Sequence, residues 1–217
     1  MVRQLISATP SPYARKVRIA LQEKNLPFDL LTEVPWNSTT ATKLHNPLEK
    51  LPVLLEGDGA EPVYESHYIL EYLEVMYPET PMLSQDPKER LFAKKVEVVA
   101  DGMCDALVLR FFETQRERQS EEWMARQMRK VDGGFKALNE WATDPKTGEA
   151  REFLIGDRLG LADLAAGSVC GYVNTRFKQY ELERKFPVLY RYWQRLEERE
   201  SFKSTVPSPQ VIADKIV

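Results

Sequence analysis

Ser11-Pro12-Tyr13-Ala14 stands where an apolar strand pattern gives way to a helical one. A helix N-terminus offers unpaired N–H groups and a partial positive charge. Such a place lowers the pKa of a thiol from near 8.5 and favours its thiolate. A dithiol redox cycle run from this position needs a Cys-x-x-Cys motif. None of these four residues is cysteine, which excludes that cycle at this junction. A serine there could instead donate a hydrogen bond to a thiolate that a ligand brings. A hundredfold gain in ionised thiol takes about 2.7 kcal/mol, within reach of one charge-assisted hydrogen bond plus the helix end. Taken alone, Ser11 has a simpler reading as an ordinary N-cap.

Two further pieces carry chemistry. Lys50-Leu51-Pro52-Val53-Leu54 places a proline at the start of a strand, where no ladder N–H is lost. The backbone of Leu51 is then available to an extended peptide, a form of strand addition. A cis Leu51–Pro52 bond would expose that backbone, but cis bonds are rare enough that the residues alone do not imply one. Glu65-Ser66 lies between a strand and a helix. Ser66 reads as an N-cap, and the helix end behind it would attract a carboxylate. Glu65 could pair with an ammonium group. Together they could hold both charges of an amino-acid head group, or they could be a capped helix with a solvated glutamate.

The elements that would position these pieces alternate over the first 80 or so residues. Arg3 to Ser7 reads as a strand, and Thr9-Pro10-Ser11-Pro12 as a turn. Tyr13, Val17, Ala20 and Leu21 recur at helical spacing up to Lys24, where Asn25-Leu26-Pro27 stops the helix. Phe28 to Glu33 is a second strand, and Thr39 to Asn46 holds a short helix. Pro52 to Glu56 and Pro62 to Tyr64 flank Gly57-Asp58-Gly59 as a hairpin. Ile69, Leu70, Leu73, Met76 and Tyr77 then face one side of a helix opened by Ser66. The order is βαβ, a linking helix, then ββα, and the three chemical pieces fall at its turns, where one ligand could touch them all. Residues 78–86, with Pro78 and Pro81, read as a linker between a domain at 1–80 and an all-helical region at 87–217. Helices are expected from Phe92 through Leu107, Ser120 to Trp141, Leu161 to Asn174, and Pro187 to Glu200, separated by a polar loop at 143–152.

The chain resembles the cytosolic glutathione transferases, particularly the bacterial and plant-like members that use serine. Ser11-Pro12-Tyr13 followed by Arg15-Lys16-Val17-Arg18-Ile19-Ala20-Leu21 resembles that family's opening motif and first helix. Asn46-Pro47-Leu48-Glu49-Lys50-Leu51-Pro52-Val53-Leu54 resembles the segment ending in its cis-proline. Tyr64-Glu65-Ser66, followed by Ile69, Tyr72 and Leu73, resembles its γ-glutamyl-binding turn. Gly160-Leu161-Ala162-Asp163 resembles the buried capping box of its helical domain. The likeness runs from Leu5 to about Pro207. It implies an α/β thioredoxin-like N-terminal domain (βαβαββα) followed by an all-α C-terminal domain. It also implies that Ser11 donates to the glutathione sulfur, and that Leu51 pairs its backbone with the cysteinyl unit beside a cis Pro52. Glu65 and Ser66 would hold the γ-glutamyl end, and Lys50 would meet the glycyl carboxylate. Glutathione is then a co-substrate whose thiolate attacks a small electrophile, and the chain is a symmetric homodimer. Two departures stand out. Glu49 occupies a place where the family often has Gly, and Gly160 one where it usually has Ser or Thr.

A second-substrate pocket implied by the resemblance has candidates in Tyr13, Trp36, Phe111, Phe112, Tyr172 and Phe177. Arg110 and Arg176 could meet an anionic substrate, although arginines are more commonly solvated. Tyr192 and Trp193 read as packing. The 217 residues are 43% hydrophobic and 29% charged with a net charge of −3, so no bulk basic field suits nucleic acid. No apolar run suits a membrane span. The acid-free stretch from Met1 to Gln22 has the composition of a transit peptide but reads better as strand, turn and helix. The two cysteines, Cys104 and Cys170, read as buried residues of a cytoplasmic protein. Two histidines, His45 and His67, lack partners at metal-ligand spacing, so no metal is expected. A non-catalytic binding or regulatory protein on the same fold is the alternative. A glutaredoxin-like exchanger ranks below it, for want of a cysteine at position 11.

Overall fold

A computed structural model describes residues 3–57 and 59–217. The chain divides into two compact units. One runs to Met82 and takes in Arg199–Ile216, and the other is Leu83–Glu198. The expectation had placed everything from 87 onward in the helical region. The C-terminal stretch instead packs with the first unit.

The first unit is built on a three-stranded sheet of order β2-β1-β3. β1 (Gln4–Ser7) is central, and Leu5, Ile6 and Ser7 are all buried. α1 (Pro12–Glu23) carries the chain to β2 (Asp29–Thr32), which pairs parallel to β1 with Gln4 opposite Asp29. α2 (Thr42–His45) is shorter than expected. The Glu33 carboxylate accepts the N–H groups of Ala41 and Thr42 at 3.1 and 3.0 Å, which places the first turn there. β3 (Val53–Leu55) runs antiparallel to β1, with Ile6 opposite Val53. The second arm of the expected hairpin is a single bridge, Leu54 to Val63. Pro62 has no N–H to extend a ladder. Asp58, central in that turn, lies outside the described residues, as do Met1 and Val2. α3 (Ser66–Met76) buries Ile69, Leu70 and Leu73. Its N-cap is Glu65 rather than Ser66, because the Glu65 carbonyl already accepts the Ile69 N–H at 2.8 Å.

The sequence pattern left Arg15, Lys16 and Arg18 as the polar side of α1, yet all three are buried. Two of them are met by α9 (Glu200–Lys203) and the residue after it. Arg15 donates to the Phe202 carbonyl at 3.1 Å, and Arg18 to the Ser204 carbonyl at 3.1 Å. Arg199 forms a two-pronged pair with Glu23 at 3.0 and 2.8 Å.

The second unit is helical. α4 (Pro87–Glu113) starts on an Asp86 cap, and α5 (Glu121–Ala142) on a Ser120 cap. α6 (Leu161–Arg176) is buried over most of its length, and α7 (Leu182–Lys185) and α8 (Pro187–Glu197) follow. Tyr192 and Trp193 are buried packing residues of α8. Gly160 has no side chain to cap α6, but the reciprocal half of the box forms: Asp163 Oδ2 accepts the Gly160 N–H at 2.9 Å. Asp163 Oδ1 accepts the Leu154 N–H at 2.8 Å and the Tyr192 hydroxyl. One buried carboxyl thus ties together a loop, a helix start and α8.

Burial lifts the Asp163 carboxyl from 3.8 to about 6, outweighing four donors that favour the carboxylate, the Tyr192 hydroxyl and the N–H groups of Leu154, Gly160 and Asp163 itself. The folded state therefore holds this proton more tightly than the unfolded chain does. Stability from the protonated carboxyl is full below the ordinary aspartate value and is lost as pH rises through about 6. A carboxyl-carbon NMR titration is expected to show this midpoint, and Asp163→Asn to flatten the acid-side dependence of stability. Asp163→Ala strands two buried donors and one half-buried one and is expected to cost about 3 kcal/mol or more in urea unfolding.

Candidate functional site

The register of the sheet assembles the site within the first unit. Ile6 lies opposite Val53, so the chain leaving β1 toward Ser11 passes the chain entering β3 from Leu51 and Pro52. The Leu54–Val63 bridge continues antiparallel, which brings Tyr64-Glu65-Ser66 beside Pro52 and Val53. The side chains of Ala8, Ala14 and Leu51 form one buried cluster that locks the Ser11 turn to the Leu51 segment. Ser11, Leu51, Pro52, Glu65 and Ser66 thus gather at one end of the sheet.

Ser11 does cap α1: its Oγ accepts the Ala14 N–H at 3.2 Å. The capping and thiolate-holding readings do not compete. An acceptor bond leaves the hydroxyl proton, which has no acceptor among the described residues, free to donate. Pro12 at the first helical position has no N–H, and the first turn carries no acidic residue to repel a thiolate.

The Leu51–Pro52 and Tyr64–Glu65 peptide bonds are both cis. Neither the N–H nor the C=O of Leu51 makes a hydrogen bond among the described residues, so the peptide edge is open to a ligand backbone. Glu65 is half-buried, Ser66 is buried, and the Ser66 hydroxyl donates weakly to Glu65 Oε2 at 3.4 Å. Glu65 is the N-cap of α3, and a helix start of this kind favours an anionic group.

Lys50 is exposed, and its carbonyl accepts Asn46 Nδ2 at 2.7 Å. Asn46 is buried and also accepts the Leu48 N–H at 2.9 Å, which shapes the loop leading to Leu51. Sequence reasoning missed this role, although Asn46-Pro47 is itself a turn signal. Glu49 sits at φ 53°, in the left-handed region. That is the physical reason a glycine suits the position, and a glutamate there bears the strain.

The C-terminal stretch also reaches this end of the unit. Thr9 donates to the Ser208 carbonyl at 2.9 Å. Asp214 accepts the Ser38 N–H at 2.6 Å, and Asn37 accepts the Ala213 N–H at 3.0 Å. The loop carrying Trp36, which is 42% exposed, is therefore fastened by a segment that nothing in the local pattern foretold.

The pocket candidates fall in different units. Tyr13 and Trp36 belong to the first. Phe111, Phe112, Tyr172 and Phe177 belong to the second, where Phe111 stacks edge-on with Phe112 and Tyr172 with Phe177. A cavity of about 570 Å³ in the helical unit is lined by residues including Val173, Asn174, Phe177 and Tyr190. Of the candidates, only Phe177 reaches it. Among the described residues no helix is long and apolar enough to cross a membrane.

The chain thus joins a small thioredoxin-like sheet unit with an open peptide edge to a helical unit with a buried half capping box. The glutathione S-transferase N-terminal domain family matches residues 10–76, and the C-terminal domain family matches residues 99–200. The chain belongs to the glutathione S-transferase family. An uncharacterised glutathione S-transferase-like protein of Escherichia coli K12, YibF, is 34% identical over 94% of this chain and 98% of its own length. Glutathione S-transferase U1 of Arabidopsis thaliana is 30% identical, over 94% of this chain and 88% of that protein. A crystal structure of a glutathione S-transferase from Methylobacterium radiotolerans, in complex with glutathione sulfonate, superposes with a TM-score of 0.94. It is 50% identical, and all of both chains is covered.

Glu49→Gly removes the left-handed strain and is expected to raise stability by about 0.5–1 kcal/mol. Urea unfolding followed by a probe in the first unit checks this, and an unchanged midpoint would show that the loop relaxes without cost.

Proposed function

We propose that this chain is a glutathione transferase that binds glutathione in its first unit and activates the thiol for attack on a small electrophile. The observation that carries the reading is the Ser11 hydroxyl. It caps α1 through its oxygen, keeps its proton available, and stands at the same sheet end as the open Leu51 edge and the Glu65–Ser66 turn. The structures similar to this one that hold glutathione or its sulfonate support the same occupant.

In this reading the peptide of glutathione lies along Leu51, beside Pro52, as an added strand. Its γ-glutamyl carboxylate meets the start of α3 and Ser66, its ammonium meets Glu65, and its glycyl carboxylate meets Lys50. The sulfur then rests at the start of α1. Ser11 donates a hydrogen bond that strengthens as the thiol ionises, and the helix end adds a fixed positive potential. Ser11 is neither a base nor a covalent nucleophile. The thiolate attacks the electrophile, and the leaving group departs with the electron pair.

A homodimer in a cytoplasmic setting belongs to the same proposal. Leu44, Leu48 and Tyr68 are 76%, 62% and 59% exposed in the first unit. Leu91 and Val98, two turns apart on α4, are 70% and 63% exposed in the second. Large apolar side chains so open to water are what a second copy would cover.

Ser11→Ala is expected to lower kcat/KM by about a hundredfold while the glutathione Kd changes by less than about threefold. Unfolding stability should fall by about 1 kcal/mol from the lost cap. Unchanged turnover would remove Ser11 from the chemistry. A calorimetric titration with millimolar glutathione that shows no heat would instead favour the non-catalytic alternative. Sedimentation is expected to give twice the chain mass, and Leu48→Asp or Leu91→Asp to shift the population toward the monomer.

A further inference from the structure

The chain after α9 forms no helix or strand, yet it makes specific contacts along its length. It crosses the exits of two strands of the first unit. β1 and β2 are parallel, so both release the chain at the same edge of the sheet, after Ser7 and Thr32. That edge is where open α/β sheets receive ligands. The Thr9 hydroxyl donates to the Ser208 carbonyl at 2.9 Å, and the Ser208 N–H returns to the Thr9 carbonyl at 3.4 Å. Gln210 Nε2 donates to the Glu33 carbonyl at 3.4 Å. The Ala213 N–H donates to Asn37 Oδ1 at 3.0 Å, and Asp214 Oδ2 accepts the Ser38 N–H at 2.6 Å.

Hydrogen bonds, more than packing, hold this segment. Val206 and Val211 are both exposed, so little apolar burial fastens it. Pro207 and Pro209 stiffen the chain on either side of Ser208 and have no N–H of their own to satisfy. The charged acceptor is Asp214. The Ser38 N–H and hydroxyl hold its carboxyl below the ordinary aspartate range, so it is ionised near neutral pH. Hydrogen bonds to an ionised acceptor are the stronger kind, which makes Asp214 the firmest of these ties. At the other end the tie is to a turn that carries chemistry. The Ser11 N–H donates to the Ala8 carbonyl at 3.1 Å, and Thr9 lies inside that turn. A movement of Thr9 is therefore passed to the residue whose Oγ caps α1.

We propose that residues 206–214 form a clasp across this edge, with Asp214 and Thr9 as positioning residues that fix the Ser11 turn against the loop at 33–41. Asp214 holds Ser38, the stiff Pro207-Ser208-Pro209 piece carries that hold across the sheet edge, and Thr9 delivers it to the Ser11 turn. The consequence for chemistry rests on the transferase reading. With the clasp closed, the Ser11 hydroxyl meets the sulfur of glutathione at a constant place. With the clasp open, that place varies, and about 1 Å of misplacement removes most of what a catalytic group contributes. The segment makes no hydrogen bond to the Leu51 edge or the Glu65–Ser66 turn among the described residues, so those still hold the peptide. The clasp thus bears on ionisation of the thiol more than on affinity for the tripeptide.

Amide hydrogen exchange on the full chain reads the clasp without any ligand. Asp214→Ala is expected to speed exchange at the Ser38 and Ala213 amides beside it. It is also expected to speed exchange at least about fivefold at the Ser208 and Ser11 amides, whose hydrogen bonds go to Thr9 and Ala8. Asp214→Asn keeps an acceptor oxygen and is expected to fall between the parent and the alanine variant. Thr9→Val releases the other end of the clasp. Combined with Asp214→Ala, it is expected to change Ser11 exchange by less than the two single effects together, because either one opens the same clasp. Should Thr9→Val fail to fold, the two Asp214 variants still decide. An ultraviolet titration of bound glutathione is expected to show the thiol pKa raised by about 0.5 in Asp214→Ala, with the glutathione Kd within about threefold of the parent. Faster exchange confined to Ser38 and Ala213 would overturn the proposal. So would additive effects of the two substitutions, or an unchanged thiol pKa in a variant whose Ser11 amide has loosened. If the parent binds no glutathione, the transferase reading falls instead, and the exchange pattern by itself upholds or overturns the clasp.

Discussion

The antiparallel pairing of Ile6 with Val53 is the constraint on which the candidate site depends. It fixes where β1 releases the chain toward Ser11 and where β3 receives it from Leu51 and Pro52. The Leu54–Val63 bridge passes the same register to Glu65 and Ser66. Strand side chains alternate with a period of two, so a slip of one residue would turn Leu54 and Val53 to opposite faces and separate the three turns. Leu5 and Leu54 are wholly buried, which makes such a slip expensive. The hydrophobic core of the sheet therefore determines the placement of groups that are not themselves hydrophobic.

Around that frame, electrostatics is arranged by burial more than by surface pairing. α1 carries Arg15, Lys16 and Arg18 in its interior-facing turns. The C-terminal stretch makes this possible by offering the carbonyls of Phe202 and Ser204. Those two carbonyl oxygens accept from Arg15 and Arg18. Burial and the neighbouring Arg15 lower the Arg18 guanidinium, a sign that the cations repel one another where they stand. A positive first helix with no acid in its opening turn is a setting in which a thiolate gains. In the helical unit the same principle runs the other way at Asp163, where burial favours the neutral carboxyl and a fixed set of donors holds it in place.

Much of this was legible in the residues. The N-cap at Ser11, the helix stop at Asn25 and Pro27, the Asp163 reach to Gly160, and the βαβ start all follow from local chemistry and short-range pattern. Three features were not. The single bridge at Val63 replaced a strand because Pro62 removes a donor just where a ladder would need one. Ser66 proved to be the first helical residue because the chain direction at Glu65, not the residue type, decides which carbonyl starts the helix. The residues offer Arg110 and Arg176 either to an anionic substrate or to solvent, and do not show the Phe177 and Phe111 rings beneath them.

The sequence by itself determined the order of elements, the absence of a protein thiol at the start of α1, and the residue types available to hold a tripeptide. Those are properties of neighbours along the chain, where spacing of a few residues sets what a backbone can do. Tertiary structure alone decided that residues 199–216 return to cover α1, that Glu49 must sit at a positive φ, and that two arginines share two rings. Each of these joins positions far apart in the chain or depends on the path a loop must take between fixed ends. No local pattern records such a contact, because its free energy comes from a partner that is near only after the chain has folded.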